Sequence, residues 1–139
     1  HVLEHLGEQT GVFLSIVREM YRVCRDGARI EITVPHPRSD DFLGDPTHVR
    51  PITAQMLELF SQRLNREWAG LEAANTPLGL ILGVDFEIES TAHALNPLWQ
   101  DKLSSGALDN MEIALAARQY NNVIRQSTIV WRVRKSGIR

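Results

Sequence analysis

Apolar residues recur at helical spacing in Thr10 to Cys24, where Phe13, Ile16, Val17, Met20 and Cys24 share a face opposite Arg18, Glu19, Arg22 and Arg25. Asp26-Gly27 stops that helix, since glycine takes positive φ after a last turn at no steric cost. The period then changes from 3.6 to 2. Ile30, Ile32 and Val34 alternate with Arg29, Glu31 and Thr33, which predicts a strand over 28–34 closed by Pro35. Residues 35–52 hold Pro35, Pro37, Pro46, Pro51, Gly44 and three Asp, a density of breakers that predicts a long loop without regular structure.

Thr53 reads as the N-cap of a helix whose Met56, Leu57, Phe60 and Leu64 share a face. Leu78 to Val84 is apolar but broken by Gly79 and Gly83, which fits strand or loop. Phe86, Ile88, Ser90 and Ala92 alternate with Glu87, Glu89, Thr91 and His93, a strand that ends before Pro97. Asp109 and Glu112 form a capping-box pattern, and Ile113, Ala116, Ala117, Tyr120 and Ile124 continue it as a helix over 110–125. Ile129, Trp131 and Val133 then give a last strand over 128–133. Helices that alternate with strands predict an α/β layer structure. A sheet of these three strands would be narrow, with edges whose backbone groups lack partners.

Composition narrows the class. The chain has 139 residues, of which 43% are hydrophobic and 23% charged, the range of a globular domain rather than a disordered one. No apolar run approaches the roughly 20 residues of a membrane span, so a cytoplasmic protein without membrane contact is expected. The single Cys, Cys24, excludes an internal disulfide and any Cys-only zinc site, and its place on the apolar helix face points to inert packing. The tryptophans Trp68, Trp99 and Trp131 read as core or interface residues. A formal charge of −2 gives no general case for nucleic acid. No acidic residue follows Glu112, yet Arg118, Arg125, Arg132, Arg134, Lys135 and Arg139 do, and these read as solvated surface charge.

Two polar groups stand out as candidate chemistry. His1, Glu4 and His5 lie at i, i+3 and i+4, so one helical turn would set all three on one face. His36, Asp45 and His48 lie in the long loop, at the end of the strand where ligands of open α/β sheets bind. His36 and His48 are the general-base candidates, because imidazole titrates near neutral pH. Asp45 could instead hold His48 in a local turn.

Three stretches carry a family resemblance: His1-Val-Leu-Glu-His-Leu6, then Glu19-Met-Tyr-Arg-Val-Cys-Arg-Asp-Gly27, then Ala28-Arg-Ile-Glu-Ile-Thr-Val-Pro35. Together they resemble the second half of a class I S-adenosylmethionine-dependent methyltransferase. In that family a fourth strand runs into (V/M)LEH(L/V), a helix ends in E-x-x-R-(V/L)-L-(K/R)-x-G-G, and a fifth strand ends near Pro. Cys24 replaces the usual Leu and Ala28 the second Gly. Gly44-Asp-Pro-Thr-His-Val-Arg50 resembles a segment many such enzymes carry before the next helix. The family ends in two strands that form an antiparallel hairpin, places that Phe86 to Ala92 and Thr128 to Lys135 suit, with 97–125 as a helical insertion.

The resemblance implies a Rossmann-like α/β fold in which 1–139 forms one partial domain, its upstream half lying before His1. It implies that His1 and Val2 pass close to S-adenosylmethionine, that Glu4, His5 and Asp45 line the substrate pocket, and that the methyl acceptor sits under 35–52 and near 97–125. The family's glycine-rich loop is missing, as no G-x-G occurs in the chain, so weak binding of S-adenosylmethionine by this chain alone is expected. Some similar methyltransferases hold a divalent ion on E-x-x-E-H with a distant His or Glu. The corresponding set here is His1, Glu4, His5 and His48, donors that suit Zn²⁺, Fe²⁺ or Mn²⁺ better than Mg²⁺. The rival expectation is a non-catalytic module that pairs its open sheet edge in a homo-oligomer.

Overall fold

A computed structural model describes residues 1–135, and Arg139 of the basic tail lies outside them. The chain opens with a 3₁₀ turn, Leu3–His5, followed by α1 (Thr10–Val23) and β1 (Arg29–Pro35). Four short helices come next: α2 (Asp40–Leu43), α3 (Ala54–Glu58), α4 (Gln62–Gly70) and α5 (Leu78–Leu82). Then follow β2 (Phe86–Leu95), α6 (Pro97–Ser104), α7 (Asn110–Gln119) and β3 (Ile124–Val133). The fold is α/β, with a three-stranded antiparallel sheet in the order β1-β3-β2 and helices around it.

The last strand lies in the middle, paired with β1 on one side and β2 on the other, and buries one face along most of its length. Ser127, Ile129, Trp131 and Val133 of β3 are all buried. Trp131 stacks on Phe86 at 3.9 Å between ring centres and meets Phe60 edge-on at 5.5 Å. Phe13 and Val17 from α1 join Ile32 and Val34 from β1 in the same core. A smaller cluster, Ile113, Ala116 and Val123 with Trp99 and Leu103, holds α6 and α7 together. Cys24 packs half-buried against the main core, as its helix face implied.

Several boundaries differ from the sequence expectation. The long loop does contain a turn of helix, α2, because the Ser39 side chain accepts from the Asp41 amide and caps it. Thr53 caps α3 as expected, accepting from Met56. The helix then breaks before Phe60 and Leu64 can share one axis, because Ser61 starts a new helix by accepting from Leu64. The Leu78–Val84 stretch is neither strand nor loop but helix, closed by Gly83 at φ +65°. Its Gly79 sits so close to that break that a Cβ there would lie 2.8 Å from the Phe60 carbonyl oxygen. Asp109 and Glu112 do form a capping box, but α7 stops at Gln119, and Ile124 begins β3. The 97–125 stretch, expected as a helical insertion, holds a pair of helices, and the strand takes residues the helix was expected to keep.

Three cations of the basic tail are paired in place. Arg125 meets Asp41 at 2.7 Å, Arg132 meets Glu89 at 3.0 Å, and Arg134 lies 3.5 Å from Glu87. No helix among the described residues is long and apolar enough to cross a membrane.

Candidate functional site

The chain turns sharply between the 3₁₀ turn and α1. Gly7 makes that turn at φ +63°, and a Cβ on it would lie 2.5 Å from the Phe13 backbone nitrogen. Arg50 reaches back from the far end of the loop, donating to the carbonyls of Leu6 and Gly7 while its guanidinium lies 4.2 Å above the Phe13 ring. The Val49 amide donates to the Glu4 carbonyl at 2.9 Å. These ties bring 45–50 against 1–7, and with them His48 against Glu4 and His5.

Glu4 is fully buried, and neither of its carboxylate oxygens has a hydrogen-bond partner. A buried carboxylate without hydrogen bonds is costly, so its surroundings call for an explanation. His1 Nδ1 lies 3.4 Å from Glu4 Oε1 and His5 Nε2 lies 3.9 Å from it, and neither makes a hydrogen bond. His48 completes the group, its ring centre 4.6 Å from that of His5. One ligand atom from each of Glu4, His5 and His48 falls within 4.8 Å of the others.

The proton positions on these rings follow from their other contacts. His48 Nδ1 lies 2.8 Å from the Phe42 carbonyl oxygen, and a carbonyl only accepts, so Nδ1 carries the proton. His5 Nδ1 lies 3.1 Å from the Thr47 carbonyl oxygen and is fixed in the same way. Thr47 Oγ1 gives its own proton to Asp45 Oδ1 at 2.6 Å and so also accepts from His5 Nδ1. His1 Nε2 donates to Gln126 Oε1 at 3.0 Å. In the neutral rings this leaves lone pairs on His5 Nε2, His48 Nε2 and His1 Nδ1. Those of His1 and His5 face the carboxylate, and His48 Nε2 sits 3.7 Å from Asp45 Oδ2. The Thr47 hydroxyl and amide hold the Asp45 carboxyl below its ordinary range. With the rings neutral and Glu4 ionised, the cluster is thus a gathering of acceptors with no proton between them. A divalent cation is what such a set accommodates, and carbonyl partners behind the imidazoles are the usual support of metal-binding histidines.

His36 stands apart from this group, in a second site. It lines a cleft of about 640 Å³ between the sheet, the start of α3 and the α6–α7 pair. The Arg38 amide donates to His36 Nδ1 at 3.2 Å, so in the neutral ring the proton is on Nε2 and the ring presents a donor to its surroundings. His93 lies beside it, ring centres 6.5 Å apart, with Nδ1 2.8 Å from Ser127 Oγ. Burial lowers the pKa of His36, helped by His93 and Arg38, and burial lowers that of His93. Residue patterning did not single out His93 or Ser127. They are cross-strand partners in the β2–β3 register, and that pairing joins them.

Of the residues expected at a site, the structure brings together His1, Glu4, His5, Asp45 and His48. It leaves Val2 exposed beside them and places His36 in the separate cleft. Thr47, Gln126 and the Phe42 carbonyl orient the cluster, and contacts of that kind are set only by the folded loop. Comparison with protein families, with curated proteins and with solved structures returned no match.

Proposed function

We propose that this chain forms the acceptor-side part of an S-adenosylmethionine-dependent methyltransferase, and that His1, Glu4, His5 and His48 hold a divalent metal ion there. The observation that carries the metal assignment is the fully buried Glu4 carboxylate, which has no hydrogen bond and faces imidazole nitrogens that bear lone pairs. When bound, the cation would act as a Lewis acid toward an acceptor oxygen. The chain's own share is to hold the ligands in one tautomer each, through Phe42, Thr47 and Gln126.

The methyltransferase part has other support. β2 and β3 pair antiparallel, as the last two strands of that family do, and α6 and α7 lie between them in sequence. The 3₁₀ turn packs at the edge of β1 that β3 does not cover, where the His1 amino group donates to the Thr33 carbonyl at 2.6 Å. That edge would take the parallel strand of the complete sheet. His1 and Val2 are both exposed there and do not by themselves enclose a cofactor. S-adenosylmethionine therefore has at most one wall of its site among these residues, and an open edge also suits pairing with a second copy. Methyl transfer is an in-line displacement, so the enzyme's contribution is mainly to position donor and acceptor.

Calorimetric titration with Mn²⁺ and Zn²⁺, and separately with S-adenosylhomocysteine, tests the proposal. Stoichiometric cation binding that is lost in Glu4→Gln is expected, together with weak or absent binding of S-adenosylhomocysteine. Failure of either cation to bind removes the metal assignment, and tight binding of S-adenosylhomocysteine overturns the one-wall account. Upstream coding sequence that specifies an apolar strand followed by G-x-G-x-G is the expected companion finding, and its absence overturns the methyltransferase reading.

A further inference from the structure

A second carboxylate stands on the solvent side of the buried Glu4. The Asp45 side chain is 44% exposed, against 1% for Glu4, and it flanks the trio of Glu4, His5 and His48 from the His48 side. Thr47 occupies one of its oxygens, donating to Asp45 Oδ1 from its hydroxyl at 2.6 Å and from its amide at 2.8 Å. These bonds hold the carboxyl below its ordinary range, so it is ionised at neutral pH.

Among the described residues the other oxygen, Oδ2, accepts no hydrogen bond. It lies 3.7 Å from His48 Nε2, too far for one. The Phe42 carbonyl holds a proton on His48 Nδ1, so in the neutral ring Nε2 carries a lone pair. Two acceptors thus stand side by side, as Glu4 does with His1 and His5. The separations agree as well. Two donor atoms at about 2.1 Å from one ion, at a tetrahedral angle, lie about 3.4 Å apart. The pairs His1–Glu4, His48–Asp45 and His5–Glu4 measure 3.4, 3.7 and 3.9 Å.

We infer that Asp45 supplies a second carboxylate to the ion at this site and raises the site's affinity for Mn²⁺ relative to Zn²⁺. The inference rests on the metal assignment above. Glu4 with neutral imidazoles leaves a divalent ion one positive charge in excess, and the charge of Asp45 balances it. Donor type acts in the same direction. Imidazole suits Zn²⁺, whereas carboxylate oxygen suits harder ions such as Mn²⁺. The thermodynamic signature is therefore a change in the ratio of two affinities, which a structural role for Asp45 would not produce.

The experiment is calorimetric titration of the chain with Mn²⁺ and, separately, with Zn²⁺, on wild type, Asp45→Asn, Asp45→Glu and Glu4→Gln. Asp45→Asn keeps an oxygen for Thr47 and removes the charge. It should weaken Mn²⁺ about thirtyfold and Zn²⁺ about threefold, so that the Mn²⁺ to Zn²⁺ affinity ratio falls about tenfold. Asp45→Glu retains a carboxylate and should keep that ratio within about threefold of wild type. Thermal melts in chelator check that the variants fold. Unchanged affinities in Asp45→Asn overturn the inference. So does an equal loss for both ions, the result expected if Asp45 only pairs with a protonated His48. Binding that is lost in Glu4→Gln but intact in Asp45→Asn leaves the metal assignment standing and removes Asp45 alone. Failure of wild type to bind either ion removes both.

Discussion

The Val49 amide donates to the Glu4 carbonyl at 2.9 Å, and this bond fixes the loop so that His48 meets a carboxylate 44 positions earlier in the chain. Glu4 then faces lone pairs on its imidazole neighbours and has no donor of its own. Glu4→Gln supplies an amide N–H₂ to those nitrogens and removes the buried charge. Without added metal the variant should be more stable than wild type by roughly 1–3 kcal/mol, the usual cost of an unpaired buried polar group. With Zn²⁺ or Mn²⁺ the order should reverse, because only wild type gains binding energy in its folded form. Thermal unfolding with and without metal checks both halves. A variant that is less stable than wild type in chelator would show that the carboxylate is already satisfied.

Gly7 makes the same cluster possible from the other side. Its φ of +63° and the 2.5 Å approach a Cβ would make to Phe13 leave room for no other residue. Gly7→Ala should cost about 2–3 kcal/mol, read from urea unfolding. It should also weaken Mn²⁺ binding, because Arg50 donates to the Gly7 carbonyl and so links this turn to the loop that carries His48.

Legibility from sequence followed the range of the interaction. Phe13 and Val17 in α1, and Ile129, Trp131 and Val133 in β3, are set by local period, and each went to the core as its spacing requires. The i, i+3, i+4 placement of His1, Glu4 and His5 was equally local. The break between α3 and α4 was only partly local: Ser61 caps α4 from within, but the Gln62 amide beside it donates to Asp85, 23 positions on. Buried Asn65 donates to the Leu59 carbonyl at the break and accepts from Leu80 of α5. The helix at Leu78–Leu82 depends on that same partner, so an apolar stretch between two glycines gave no period to read. His93 lay on a correctly read strand, but its partner Ser127 is chosen by register, and register is a property of the sheet.

The His36–His93 pair carries a pH dependence whose sign follows from burial. Both imidazoles have pKa values below the ordinary 6.5, so the fold favours their neutral forms. The unfolded chain takes up these protons first on acidification. The two groups therefore contribute stability that is present above pH 6.5 and is lost as pH falls through their lowered values. The double variant His36→Gln/His93→Gln should lose less stability than wild type between about pH 7 and pH 5, followed by urea midpoints. Parallel curves for the two proteins would mean that the cleft does not desolvate these rings.

The last prediction connects a helix cap to the cleft. Asp109 Oδ1 accepts from the Glu112 amide at 2.8 Å and Glu112 Oε2 accepts from the Asp109 amide at 2.8 Å, a reciprocal box at the start of α7. α7 is short and belongs to a cluster of three buried residues, so it lacks the support of the main core. Asp109→Ala should cost about 1 kcal/mol of overall stability. Because the loss falls on the element that supplies Ile113 and Ala114 to the cleft, it should loosen that wall while the cluster around Glu4 stays in place. Hydrogen exchange should accelerate over Asn110–Gln119, and Mn²⁺ affinity should be unchanged. Loss of Mn²⁺ affinity as well would mean that α7 is part of the fold's main cooperative unit.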